Sequence, residues 1–255
     1  MNITLKNQDE SALMRYAGKV LGAALFHLKE MIKPGVNCLE LDKFFKEFIN
    51  KYECKSNFKG YLGFPAYTCI SINEQLIHTI PSNYSIKNGD IVSIDAGCSY
   101  KGYHADAAFS VICGDSKDPE HQRLLKTTEE SLNLAIKQVV PGTRVGNISS
   151  TIENFVVGEG YYLPTEFSGH GIGKSMHEDP MIPNQGIPNS GVRLREGMAI
   201  CIEPMVQIGT SKVKMLKDGW TIVSENGKAT AHFEHTILVT KTGHEVLTTI
   251  KPMED

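Results

Sequence analysis

The sequence lacks the paired cysteines that build small metal or redox folds. Its six cysteines, at 38, 54, 69, 98, 113 and 201, are nowhere closer than fifteen residues, which excludes the C-x-x-C pairs of zinc ribbons and thioredoxin-like sites. It also has no apolar run near the roughly 18 residues of a membrane span. Neither sign of charge is in large excess. The 26 basic and 29 acidic residues leave a formal net charge of −3, so there is no basic field to gather nucleic acid. The start, Met1–Arg15, is polar and charged, and the apolar stretch Val20–Leu28 has neither a basic leader nor a small-residue cleavage site. No export signal is expected, and the cysteines read as reduced and mostly buried in a cytoplasmic protein.

What is present suits a globular enzyme. Hydrophobic residues make up 41% and charged residues 22% of 255 residues, enough to bury one sizeable core and too apolar for disorder. No linker or low-complexity stretch divides the chain, so a single domain over 1–255 is expected. Apolar residues at Leu13, Met14, Ala17, Val20, Leu21, Ala24 and Leu28 predict a helix over Asp9–Met31, broken by Pro34-Gly35. The same period predicts helices over Glu40–Tyr52, Asp118–Val140 and Val145–Gly158. Strand-like runs occupy Thr68–Ile72, Ile91–Ile94, Ala107–Val111, Gly197–Ile202, Thr221–Val223, His232–Val239 and His244–Thr249. Helices and short strands in this order indicate an α+β class.

Two stretches of the chain echo each other. Gly89-Asp90-Ile91-Val92-Ser93-Ile94-Asp95 aligns with Gly197-Met198-Ala199-Ile200-Cys201-Ile202-Glu203. His104-Ala105-Asp106 aligns with His232-Phe233-Glu234, and upstream His78-Thr79-Ile80 resembles His170-Gly171-Ile172. Each match is cheap alone, but their order is kept. A duplication would bring Asp95, Asp106, Glu203 and Glu234 toward one centre. Four carboxylates in an apolar setting repel one another and are costly to desolvate. Divalent cations resolve that conflict. An oxygen-rich set with one imidazole suits Mn²⁺, Fe²⁺ or Co²⁺ better than structural zinc, and it is large enough to bridge two ions.

These residues carry a resemblance to a known family. Ser71-Ile72-Asn73-Glu74, His78-Thr79-Ile80-Pro81, Ser93-Ile94-Asp95-Ala96-Gly97, Gly169-His170-Gly171-Ile172-Gly173, Glu203-Pro204 and Phe233-Glu234-His235-Thr236 look like the motifs of the methionine aminopeptidases, over about residues 9 to 250. The resemblance implies a pita-bread fold, two αβ halves related by a pseudo-twofold around a central antiparallel sheet. It implies the short bacterial type I form, because the stretch between His170 and Glu203 leaves no room for the type II insertion. It implies two divalent ions (Co²⁺, Mn²⁺, Fe²⁺ or Zn²⁺) on Asp95, Asp106, His170, Glu203 and Glu234, with Asp106 and Glu234 bridging. Glu203 would shuttle a proton, His78 would lie near the leaving amide and His177 at the carbonyl oxygen. A methionine pocket is implied at Phe58, Tyr61, Phe64, Cys69, Met176 and Trp220. The expected substrates are nascent polypeptide N-termini with a small, uncharged second residue. A monomer with transient ribosome contact completes the expectation.

Blander readings exist for each residue. A lone Asp at a strand end is usually a cap, His78 and His177 could be packed histidines, and the aromatics could be core. His104 and His232 are read as structural, facing away from the acids or supporting them. Two alternative functions share the fold: an Xaa-Pro peptidase, which usually carries an extra N-terminal domain, and a non-catalytic pita-bread binding protein, which would have broken ligands. The sequence departs from the family pattern at Thr79, where Gly is usual and which is expected to narrow the entrance or alter substrate backbone contact. It departs also at Ala105, Ala107 and Ala108, where Gly and hydroxyl residues are common, and at Met176, where an aromatic is common.

Overall fold

A computed structural model describes residues 3–116 and 118–253; Met1 and Asn2, at the head of the polar leader, and the last two residues of the expected domain lie outside the described residues. Helices α1 (Gln8–Met31) and α2 (Cys38–Lys51) come first. Strands β1 (Lys55–Ser56), β2 (Cys69–Ile72), β3 (Gln75–Ile77), β4 (Ile91–Tyr100) and β5 (Tyr103–Ile112) follow. After α3 (Pro119–Lys137) and α4 (Val145–Gly158) come β6 (Ser168–Gly171), β7 (Glu178–Pro183), β8 (Ala199–Ile202), β9 (Met205–Gln207), β10 (Val213–Met215), β11 (Ile222–Ser224), β12 (Thr230–His232), β13 (His235–Val239) and β14 (His244–Val246).

Local chemistry sets the helix ends. Asn7 caps α1 and forms a reciprocal capping box with Glu10, which satisfies two of the free N–H groups of the first turn. Asn37 caps α2 by accepting the Leu39 N–H, and Asp118 caps α3 with Pro119 in its first turn. Helix α4 has no side-chain cap. Its first N–H groups are instead taken by carbonyls of Val192 and Ser190, at 2.9 and 3.0 Å from Val145 and Gly146. Helix α1 packs on β4 and β5 with α2 beside it, while α3 packs on α4 and on β9 and β12. One hydrophobic core runs through both sets.

The two largest of the four sheets among the described residues repeat one pattern. In the first, β2 pairs antiparallel with β4 and β4 with β5. In the second, β6 pairs antiparallel with β8 and β8 with β13. The sheets meet where Ala108 and Glu234 bridge one another, with N–H···O distances of 3.3 and 2.9 Å.

The registers correct two of the sequence matches. Ile94 faces Phe109 and Ile202 faces His235, so the residue corresponding to Glu234 is Ala108, and His232 corresponds to Asp106. The acids of the outer strands are thus offset by two residues, a step that keeps both on the same strand face. Likewise Ile72 faces Val92 and Gly171 faces Ile200. His170 therefore matches Ser71 and not His78, which lies beyond β3. The halves repeat their strand layout, while their functional side chains differ.

Candidate metal centre

The first two acids come from adjacent strands. Asp95 lies within β4 opposite Ala108, and Asp106 within β5 opposite Gly97. Glu203 directly follows β8, and Glu234 sits in the break between β12 and β13. That break divides the stretch expected as one strand, His232–Val239. His170 lies in β6, threaded between β7 and β8. Its neighbours must be glycine there: a Cβ at Gly169 would lie 2.2 Å from the Cys201 carbonyl oxygen, and one at Gly171 2.2 Å from that of Asp179. Gly171→Ala is accordingly expected to cost about 1–3 kcal/mol of stability through overpacking. Calorimetry would read this as a lower Tm, and an unchanged Tm would show that β6 is not confined.

Ligand-type atoms converge around Glu234. One of its carboxylate oxygens groups with Asp95 and Asp106, and Glu234 groups also with Glu203 and His232 and with His170 and Cys201, each set within 4.8 Å. Oδ1 of Asp95, Oδ1 of Asp106 and Oε1 of Glu234 are buried without any hydrogen-bond partner. Such orphans are costly unless something else satisfies them. Burial drives the carboxyl of Asp95 up to about 7. Burial and then the neighbouring acids push Asp106, Glu203 and Glu234 well above the ordinary range. The donor set, its orphaned oxygens and its mutual repulsion all fit divalent cations. Cys201 is the exception within these groups. Burial raises its thiol well above normal, so it remains protonated, with its Sγ 3.5 Å from the Thr236 hydroxyl.

The histidines are neutral. Burial holds His170 down to about 4, and its Nδ1 is 2.8 Å from the Gly171 carbonyl oxygen. With Nδ1–H donating there, Nε2 keeps its lone pair, 3.6 Å from Glu203 Oε1. His78 is likewise lowered to about 4. It sits at φ 58, a strained conformation for a residue other than glycine, and its ring meets Phe167 edge-on at 5.9 Å. His177 stacks edge-on against His170 at 4.3 Å, and its Nδ1 is 2.8 Å from the Tyr61 hydroxyl.

A cavity of about 690 Å³ joins these groups. Every residue singled out as a candidate in the sequence lines it. Phe58, Phe64, Cys69 and Met176 form one apolar cluster with Trp220 packed on it, and Trp220 meets Phe64 edge-on at 5.0 Å. The structure adds Ile77, Phe167, Leu62 and Met181 to the lining. Two expectations change. Thr79 is buried, does not line the cavity, and accepts a 3.0 Å hydrogen bond from Ser71, so it does not narrow the entrance. Of the two readings of His232, facing away from the acids or supporting them, the first fails: it is buried with its Nε2 3.8 Å from Glu203 Oε2 and no hydrogen-bond partner. His104 fits its structural reading, with Nδ1 2.8 Å from Asn57 Oδ1. The hydroxyls missing around Asp106 are replaced across the seam, where Thr236 Oγ1 accepts the Asp106 N–H at 2.9 Å and donates to its carbonyl at 2.8 Å.

Known proteins share this layout. A model of metallopeptidase family M24 matches residues 12–241. The chain is 57% identical over 246 residues to a methionine aminopeptidase of Mycoplasma capricolum, covering 96% of this chain and 98% of the relative. It is 44% identical to methionine aminopeptidase 1 of Bacillus subtilis, covering 97% and 100%. The crystal structure of the Thermotoga maritima methionine aminopeptidase superposes with a TM-score of 0.95 at 42% identity, covering 97% of this chain and 99% of that one. A prolidase from Pyrococcus furiosus superposes at 0.78 with 23% identity, and the chain spans 66% of it, a likeness of fold alone. The two halves thus form the pita-bread arrangement. The chain belongs to metallopeptidase family M24 and, within it, to the methionine aminopeptidases.

Proposed function

We propose that the protein removes the initiator methionine from newly made polypeptides, using two divalent cations held by Asp95, Asp106, His170, Glu203 and Glu234. The observation that carries this reading is the convergence of those five side chains on one cavity with three orphaned carboxylate oxygens. Asp106 and Glu234 would bridge the ions, Asp95 would complete one site, and His170 with Glu203 the other. Bound there, the ions would neutralise the acids, polarise the scissile carbonyl and acidify water, the chemistry of two-metal hydrolysis.

The protein's own groups have separate tasks. Glu203, whose carboxyl is raised by burial and by Asp95 and Asp106, can hold the proton lost by water and return it to the leaving amine. His78 and His177, both lowered by burial, act as neutral imidazoles, His78 beside the leaving amide and His177 donating to the carbonyl oxygen. The cluster of Phe58, Phe64, Cys69, Met176 and Trp220, with Tyr61 at its edge, offers ring edges and sulfur to a thioether. An unbranched methionine fits such a slot, and a small, uncharged second residue is the preference proposed for the neighbouring position. The protein acts in the cytoplasm as a monomer, meeting substrates at the ribosome only transiently. No described helix is long and apolar enough to cross a membrane.

Cleavage of Met-Gly-Met-Met against an Xaa-Pro peptide, with added Co²⁺ or Mn²⁺, tests the specificity. Release of methionine is expected, and preferential Xaa-Pro hydrolysis would overturn the reading. Chelation is expected to abolish turnover while far-UV circular dichroism persists, because the core is formed by α1, β4, β5 and their counterparts. Loss of that signal with chelator would show that the ions hold the fold as well.

A further inference from the structure

The segment before α1 ends in a buried ion pair to which the chemistry above gives no task. The ammonium of Lys6 lies 2.9 Å from Oε2 of Glu178, with the two side chains only 4% and 8% exposed. Lys6 Nζ also donates to Thr4 Oγ1 at 2.7 Å, and the Thr4 hydroxyl donates to the same Glu178 oxygen at 2.5 Å. The Lys6 N–H donates to the Gly197 carbonyl at 2.7 Å, which ties the arm to the turn leading into β8. Glu178 uses its other oxygen to accept the Ser175 N–H at 3.1 Å. This closes the loop 173–178, whose Met176 and His177 line the cavity.

A buried ion pair is a poor source of stability, because desolvating the two charges offsets their attraction. Burial indeed holds the Lys6 amine below its ordinary value against the pull of Glu178. What such a pair supplies well is a fixed geometry. Gly173 shows how closely it is fitted: a Cβ there would lie 2.4 Å from Lys6 Cε, 2.7 Å from Lys6 Nζ and 2.8 Å from Glu178 Oε1. On the exposed side of the loop, Lys174 reaches Glu10 of α1 at 3.5 Å, a second tie between the N-terminal region and the same segment.

We propose that Lys6 is a positioning residue, which through Glu178 fixes the loop 173–178 so that the His177 imidazole stays at the substrate carbonyl. The inference rests on the role given to His177 above. Lys6→Met keeps most of the length of the side chain, removes its charge and releases Glu178. It is expected to lower kcat on Met-Gly-Met-Met by about tenfold to a hundredfold, the scale of a misplacement near 1 Å, with KM changed far less. In a His177→Ala background the same change should leave kcat nearly untouched, because the group being positioned is gone. Gly173→Ala, which displaces the pair without touching either charge, should reproduce the kcat loss. Lys6→Met/Glu178→Gln should recover part of it, since no unpaired buried acid remains.

An active parent enzyme whose Lys6→Met variant keeps its kcat overturns the inference alone. So does an equal proportional loss with and without His177, which is the signature of general destabilisation. A parent enzyme inert on the peptide with added metal overturns the functional reading and this inference together.

Discussion

Asp106→Asn is expected to reduce turnover by more than about a thousandfold, beyond the effect of removing a single transition-state hydrogen-bond donor. The side chain lies within 4.8 Å of ligand atoms on Asp95 and Glu234, and its Oδ1 has no hydrogen-bond partner. The backbone around it is fixed independently by Thr236. Asparagine therefore fits the same space and changes mainly the charge. On the proposed reading it would turn an anionic donor shared between two cations into a neutral amide whose NH₂ would repel them. The same substitution relieves repulsion among the acids when no ion is bound. The chelated variant should then melt higher than the chelated parent, while added Mn²⁺ or Co²⁺ should stabilise it far less. Activity near normal, or metal-induced stabilisation equal to that of the parent, would remove Asp106 from the bridging role. A merely structural residue would show the opposite pattern, with a lower Tm in both conditions.

Much of the helical layer was legible in the sequence because its signals are local. Helix α4 spans Val145–Gly158 as its periodicity predicts, and α1 starts one residue before the expected Asp9. The strands were less legible, and the reason is clearest at the site. The expected strand Ile91–Ile94 continues to Tyr100. The apolar signal stops at Asp95 because the rest of the strand carries an acid, small residues and cysteine. Strand β6, Ser168–Gly171, has no strand propensity at all. It is extended only because β7 and β8 flank it, and glycine is required for that closeness. The site residues drawn from family motifs could be named without knowing these elements. His232 reads as structural in the sequence because it precedes a ligand and is expected to face away from it or support it. The alternation of His232 and Glu234 at a two-residue step was the signal available for it. Phe167 gave no signal, since its place against His78 depends on the turn at β3.

Without its ions the protein is expected to lose stability as pH rises above neutrality, whereas the metal-loaded protein should not. A carboxyl whose pKa is higher folded than unfolded favours folding while protonated. Its contribution is fully present below the unfolded value and is lost as pH rises through the folded one. Asp95, raised to about 7, and Asp106, Glu203 and Glu234, raised well above the usual range, all act in this direction. The buried histidines act oppositely. His78 and His170 are lowered to about 4 and His232 to about 3, so their contribution is complete above the unfolded value near 6.5 and is lost on acidification. Raising the pH from about 4 to 6.5 therefore sets the two groups against each other. From about 6.5 to 8.5 the acids dominate with this sign, and the thiols of Cys69 and Cys201, also raised by burial, begin to add to it near the top of that window. Each proton that the folded acids keep and the unfolded chain has lost costs about 1.4 kcal/mol per pH unit, so the Tm should fall as pH rises through that window. Calorimetry in chelator at a series of pH values reads this directly. With Mn²⁺ present the ligands are deprotonated at the outset, so the stabilisation by metal should grow with pH. A chelated protein whose Tm is flat or rising from pH 6.5 to 8.5 would mean that the acids are already ionised and solvated, and the electrostatic case for cations at Glu234 would fail with it.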